Sequence, residues 1–396
     1  MKSFLLLFLL IFPSWNTSSG QLNSSFEKQR GDLFFEFKSI SFVRNKEYFN
    51  PDSPGMVLIG YMYQPNQLFW YPGYGFVNPN IEGYTLIGNF IQPSVIYYPY
   101  SNLSIRLGAH ILNYSGAGKL SQIKPVISTT LSFSEKTSFT LGSLEGCENR
   151  KLFDPLFDFE RIYTNNSENG FEFITEQNHF TSDTWLDWEH FIFTGDTDRE
   201  IINFGESFKY TSDKIRNRFD FNVPLQFLIR HKGGQISNYP ESLETYLNLA
   251  AGININYDLN NGNNRKLGID YFHFMYYDNS ANNQVLSFKQ GYADWFRLHY
   301  NSKIMWIDLA YWKSHNFYAP VGNLVYSSIS GFMGKTLLPD RSLLSSSMNL
   351  TIVRLKYLEL FFGVDFYYDL NLQEFYNAAA LHIRFNEMIK LLSLKK

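Results

Sequence analysis

Apolar and polar residues alternate with a period of two in runs of about ten residues along most of this chain. In the run 358–369, Leu358, Leu360, Phe362, Val364, Phe366 and Tyr368 share one parity, and Glu359, Gly363, Asp365 and Asp369 share the other. A strand sends successive side chains to opposite faces, so such a run has one apolar and one polar side. The pattern recurs where Leu103, Ile105, Leu107, Ala109 and Ile111 oppose Ser104, Arg106, Gly108 and His110. It recurs again from Leu267 to Asp278, from Met305 to Trp312 and from Ala379 to Asn386. Runs of this length match the ~9–11 residues of a tilted membrane-crossing strand better than the ~5–6 of a soluble one.

A soluble sandwich or propeller would bury the apolar faces in a core, whereas a membrane barrel turns them to lipid and leaves the polar faces in a lumen. Run length favours the barrel. So do the strand-end pairs Tyr97-Tyr98, Tyr276-Tyr277 and Tyr367-Tyr368, which read as interfacial girdles. Short turns also alternate with longer polar stretches at 45–55, 145–168, 231–241, 278–290 and 313–325. Turn signals include Ser101-Asn102, Ser134-Glu135-Lys136, Asn169-Gly170, Thr211-Ser212-Asp213 and Asn260 to Arg265. The expectation is an all-β fold: a transmembrane antiparallel up-and-down β-barrel of about 16 strands, within a range of about 14–18. No linker divides the chain, so 21–396 is read as one barrel domain with a large loop near 145–168.

The first residues read as a signal peptide. Lys2 is the positive start, Phe4 to Phe12 is an unbroken apolar stretch, and Ser18 and Gly20 are the small residues before a cut ahead of Gln21. The expected destination is the outer membrane, reached by cleavage of residues 1–20. The balance of 34 Lys+Arg against 37 Asp+Glu excludes a nucleic-acid binder, which would be clearly basic. The abundance of Phe and Tyr (38 and 27) excludes disorder. Cys147 is the single cysteine, which excludes a disulfide framework within the chain.

With the leader, the alternating strands and the segment Leu381-His382-Ile383-Arg384-Phe385 in view, the chain resembles a Gram-negative outer-membrane β-barrel of the porin-like class. The likeness covers most of residues 31–386. The segment from Gly142 through Phe193 is similar to stretches of predicted barrels without a known activity. Barrels of this class usually end on an aromatic residue, whereas here Phe385 is followed by Asn386 to Lys396. That tail reads either as a short interfacial helix or as a longer last strand.

No catalytic motif emerges. The eight histidines show no His-Glu-x-x-His spacing, there is no Gly-x-Ser-x-Gly elbow, and Gly73-Tyr74-Gly75 is too short for a phosphate site. His190 and His273 fall on apolar faces and read as interfacial histidines. The expectation is a protein without enzymatic activity, metal or cofactor.

Two groups of residues are candidates for lining a lumen or binding a solute. In 183–193, Asp183, Trp185, Asp187 and Glu189 share one face, and Leu186, Trp188, His190 and Ile192 share the other. The first set is an acidic strip with an indole, suited to cations or sugars. The plainer expectation is that Asp187 and Glu189 pair with cations on adjacent strands, such as Arg199 or Lys209. In the largest loop, Asp158, Glu160 and Arg161 would either line a constriction inside the lumen or form solvated ion pairs at the surface. The second is the expectation.

The function expected from barrel size is a porin-like channel for small polar solutes. The alternatives are a non-conducting structural or docking subunit of an outer-membrane assembly or export complex, with lumen aromatics such as Trp306, Trp312 and Phe361 filling the interior, and a lumen-sited hydrolase. The partners expected are outer-membrane lipid, small polar solutes and other outer-membrane proteins.

Overall fold

The computed structural model describes residues 29–47, 56–57, 69–70, 83–146, 150–234, 243–259, 265–280, 286, 288–329 and 338–394. The segment read as a signal peptide, Cys147 and Gly73-Tyr74-Gly75 lie outside the described residues. The strands are β1 (Asp32–Glu47), β2 (Met56–Val57), β3 (Phe69–Trp70), β4 (Tyr84–Tyr100), β5 (Leu103–Tyr114) and β6 (Gln122–Ser134). Next come β7 (Thr137–Leu144), β8 (Glu168–Glu176), β9 (Phe180–His190), β10 (Glu200–Thr211), β11 (Phe219–Gly233) and β12 (Glu244–Asp258). The last are β13 (Lys266–Asp278), β14 (Gln290–Asn301), β15 (Met305–His315), β16 (Asp340–Arg354), β17 (Leu358–Asp369) and β18 (Glu374–Ser393).

β2 and β3 form a separate two-stranded sheet. The other 16 strands close into one barrel in which each pairs antiparallel with its neighbours, and β1 against β18 completes the ring. Closure leaves no sheet edge, which is the condition for crossing hydrocarbon with strands. The expected all-β barrel is therefore the fold, and it is that of an outer-membrane-type β-barrel. The residues after Phe385 continue as strand: β18 runs to Ser393 and pairs with β1 along its length, so the tail is a longer last strand.

The alternation sorts the faces as expected. Leu107, Ile123, Ile127, Ile269 and Leu309 point outward and each is more than half exposed. Their strand neighbours His110, Val126, Asp270 and Ala310 are buried on the inside. The tyrosine pairs divide between the two sides, as a period of two requires: Tyr98, Tyr276 and Tyr367 are buried in the interior, and Tyr368 faces out. Only half of each expected girdle pair can therefore lie at a membrane interface. Asn169-Gly170 is not a turn but lies inside β8, where Gly170 sits directly across from Gly142 of β7. Gly142 has φ +109°, and a Cβ there would lie 2.2 Å from the Ile127 carbonyl oxygen. Shortly beyond it, β7 ends and the chain turns inward.

Short turns at 101–102, 135–136, 177–179, 302–304 and 355–357 gather at one end, and longer connections at the other. Two of the long connections, 145–167 and 316–329, fold into the barrel. Leu156, Ile162, Tyr163, Phe317, Val325 and Ile329 on these loops are buried to 3% exposure or less. They join two cores, one around Phe272, Phe274, Trp295 and Trp312, the other around Phe42, Phe90 and Trp185.

Within β17, Val364 faces outward, while Asp365 faces in and meets Arg44 at 3.1 Å. Val364→Arg is expected to cost about 2–4 kcal/mol and to lower the folded yield, read as heat-modifiable mobility on a gel. Glu359→Gln, on the inner face, should leave that yield unchanged.

Candidate functional site

The 145–167 loop crosses the lumen and is bonded to both sides. Its 3-10 turn, Phe159–Tyr163, starts at Asp158, whose Oδ1 accepts from the Glu160 amide at 2.9 Å. Glu160 turns to β1. It accepts from Arg44 Nε at 2.8 Å and is paired with Lys46, and Tyr84 of β4 donates to it. Arg161, the next residue, turns the opposite way and meets Glu189 of β9 at 2.9 Å. Tyr163 and His382 of β18 share a hydrogen bond of 2.6 Å. On the far wall, Gln226 accepts from the Phe153 amide at 2.9 Å. The second inward loop is tied to the first, since Asn323 donates to Asp154 at 2.8 Å. It is also tied to the wall: Asn248 donates to the Tyr318 carbonyl at 2.7 Å, and Arg341 to the Ser327 carbonyl at 2.6 Å.

The expectation of a solvated 145–168 loop is thus wrong. The apolar residues Leu156, Phe157, Ile162 and Tyr163 carry the loop inside, and its charges follow because the wall supplies opposite partners. The seven residues singled out in the sequence do not form one cluster. Asp158 and Glu160 face β1 and β4, whereas Arg161 joins Asp187 and Glu189 at β9. Asp183 and Trp185 form a third group around Arg150.

The four residues of the strip do share the inner face of β9. Asp183, Trp185 and Asp187 are buried and Glu189 is half-buried. Ile192 departs from the expected alternation. It is buried beyond the end of β9 at His190, because the strand has stopped there. Glu189 is held by Arg230 through two bonds of 2.9 and 3.0 Å, by Arg161, and by Asn203 at 2.8 Å. Asp187 accepts from the Asn169 amide at 3.1 Å. Glu189 is therefore paired, but with other cations than expected, and Asp187 is met by the Asn169 amide and by Asn203 at 3.4 Å in place of a cation. Arg199 goes to Glu244 at 2.7 Å, and Lys209 is exposed. Arg150 carries the third group. It meets Glu168 at 2.6 Å and Asp183 at 3.8 Å, and its guanidinium lies 4.5 Å from the Trp185 ring. Gly205 makes room for that indole, since a Cβ there would lie 2.6 Å from it. Arg150, Arg230 and Arg44 were not evident from the sequence, because a lone arginine gives no sign of which distant carboxylate it will meet.

The outer wall holds a second arrangement. His273 on β13 and Asp294 on β14 are cross-strand partners, with Nδ1 and Oδ1 at 2.9 Å. Tyr271 Oη donates to the same Asp294 oxygen at 2.8 Å. Lys313 of β15 stands opposite Asp294 in the next pair, and Ser342 of β16 opposite Lys313. One row higher, Tyr292 lies between the rings of His273 and His315, and His315 meets Asp340 at 2.7 Å. Side chains of the His273–Asp294 pair are 40% and 29% exposed, on the face where Ile269, Phe296 and Leu309 point out. Ionisable groups on a lipid-facing wall are costly and mark function more often than surface charges do. His273, read from the sequence as an interfacial histidine, has a cross-strand carboxylate partner. Its partner lies 21 residues away in sequence and is invisible without the register. Nδ1 on Asp294 leaves Nε2 to act as a base, the geometry of an oriented imidazole.

Burial, with Glu160 next to it, pushes the Asp158 carboxyl up to about 6. A carboxyl raised on folding favours the docked loop while it is protonated. That contribution is complete below its ordinary value of 3.8 and is lost as pH rises through about 6. The loop should therefore resist proteolysis better at pH 5 than at pH 7.5, and Asp158→Asn, which keeps an acceptor for the turn, should flatten the difference. Replacing Arg150 with Met leaves buried Glu168 uncompensated and is expected to cost about 3–5 kcal/mol, measured as a drop in the unfolding midpoint in urea.

Solved barrels show a low-level likeness. OmpT of Vibrio cholerae, as a loop L8 deletion mutant, aligns with TM-score 0.47 and 9% identity over 90% of this chain and 100% of that one. OccK11 (OpdR) of Pseudomonas aeruginosa aligns with TM-score 0.47 and 10% identity over 92% and 98%. OprD of the same organism aligns with TM-score 0.46 and 10% identity over 92% and 95%. No curated protein matches the sequence. Residues 25–394 match the family described as lipid A 3'-O-deacylase-type. That match spans the whole barrel and overturns the expectation of a protein without enzymatic activity: the chain belongs to the lipid A 3'-O-deacylase-type family.

Proposed function

We propose that the protein is an outer-membrane esterase that removes an O-linked acyl chain from a lipid of the lipid A type. It works on the outer wall of a barrel whose lumen is filled. The observation that carries this reading is the His273–Asp294 pair, held at 2.9 Å on the lipid side of the sheet. An acylated lipid reaches that wall by diffusion within its own leaflet, whereas the lumen is crossed by two bonded loops. With the long connections on the outside, as is usual for such barrels, the pair lies in the half of β14 nearer the outer leaflet.

The chemistry follows from the geometry. Asp294 and Tyr271 fix the imidazole, and His273 Nε2 takes a proton from water as the water oxygen attacks the ester carbonyl. Positive charge at Lys313 favours the oxyanion that develops. Collapse breaks the acyl carbon–oxygen bond, and the proton returns from His273 to the leaving alkoxide. The products are a fatty acid and a lipid hydroxyl.

The test is the mass of lipid A extracted from Gram-negative cells that produce the full chain. Wild type should remove one acyl chain, and His273→Ala and Asp294→Asn should slow that removal by about 10²–10⁴-fold with unchanged barrel yield. A His273→Ala variant as active as wild type would sink the assignment. Planar bilayers containing the protein should show no steady open-channel steps. Such steps would restore the channel for small polar solutes.

A further inference from the structure

We propose that the cavity at the short-turn end of the barrel binds an anionic saccharide of one or two rings. The cavity has a volume of about 500 Å³, within the ~300–1,000 Å³ of small-molecule sites. It lies where β13 and β15 begin and β14 and β16 end, so it opens at the mouth opposite the long loops. It is separate from the outer-wall histidine and from the inward loops.

Its lining is chemically one-sided. The titratable groups on it are Lys266, Lys303 and Arg354, and no carboxylate is among the lining residues. Two of these cations are aimed by a carboxylate on a strand behind them: Lys266 meets Asp220 at 2.6 Å, and Arg354 Nε meets Glu359 at 3.0 Å. Each carboxylate fixes the direction of its cation, which lowers the ordering cost of binding, while offsetting part of its charge.

Neutral hydrogen-bonding groups lie between the cations: Asn301, Asn349 and Thr351. Such groups match hydroxyls, and a simple inorganic anion would have no use for them. Two aromatic rings complete the wall, Trp306 and Phe361. Each has an imidazole stacked on it. His299 lies 4.6 Å from Trp306 at 14°, and His382 lies 5.6 Å from Phe361 at 22°. The Trp306 N–H is spent on Asp308 at 2.9 Å, so the indole is fixed; the Arg297 guanidinium lies 5.4 Å from the Trp306 ring and that of Arg384 5.9 Å from the Phe361 ring. An apolar plate for a pyranose face, amides for hydroxyls and cations for a carboxylate together describe an acidic sugar.

The test is calorimetric titration of the full-length protein in detergent with three probes: digalacturonate, lactose and inorganic phosphate. Digalacturonate should bind saturably and at least tenfold more tightly than either of the others. Lys303→Ala lies in a turn outside the ladder, and Trp306→Phe keeps an apolar ring. Each should weaken digalacturonate at least fivefold, with heat-modifiable mobility showing that the barrel is folded. Absence of saturable digalacturonate binding overturns the proposal. So does lactose or phosphate binding as tightly, or digalacturonate affinity unmoved by both variants. Because neither residue touches the outer wall, lipid deacylation should be unchanged in both variants, and a failure of that reading is scored separately.

Discussion

The interior of the barrel depends on one set of interactions, the ion pairs that hold the 145–167 loop across the lumen. A ring of 16 strands encloses more space than its own side chains can fill. The loop fills it, but only by carrying charges into the interior, and each carries a partner penalty unless it is met. Glu160 is met by Arg44 and Lys46 from one wall, and Arg161 by Glu189 from the other. Buried pairs of this kind add little net stability, since desolvation offsets most of the attraction. Their effect is on position: losing one partner leaves an uncompensated charge, so the loop has one place to sit.

That position decides what the barrel can do. Aromatic side chains from the wall meet loop residues from both inward segments, as where Phe153 lies 4.2 Å from Phe272 and Tyr326 lies 4.9 Å from Trp312. With the lumen crossed, the proposed deacylation lies on the outer wall and the proposed saccharide site at the short-turn mouth. The outer wall is largely apolar; Glu206, held by Ser182 and Thr184, interrupts it on β10, and the row His273, Asp294, Lys313 interrupts it on β13 to β15. Such a row is expensive in hydrocarbon and is sensible where acylated headgroups reach the sheet.

The barrel and the faces of its strands were legible in the sequence, because a period of two is a local property that any strand must obey. Asp183, Trp185, Asp187 and Glu189 lie on the inner face of β9 as their spacing requires. The seven residues chosen as a site were not one site. Asp158, Glu160 and Arg161 are adjacent in sequence, but a 3-10 turn sends neighbouring side chains to opposite walls. The apolar residues of 316–329 were a readable sign of a second buried loop, since a solvated loop has no reason to carry Phe317, Val325 and Ile329.

The sequence alone determined the strand class, the approximate number of strands and which residues look outward, because alternation and run length are set within each strand. Tertiary structure decided the pairs: Arg44 with Glu160, Glu189 with Arg230, and His273 with Asp294. Each joins residues whose separation along the chain carries no information about their distance. Only strand register and the inward path of a loop bring them within hydrogen-bonding reach.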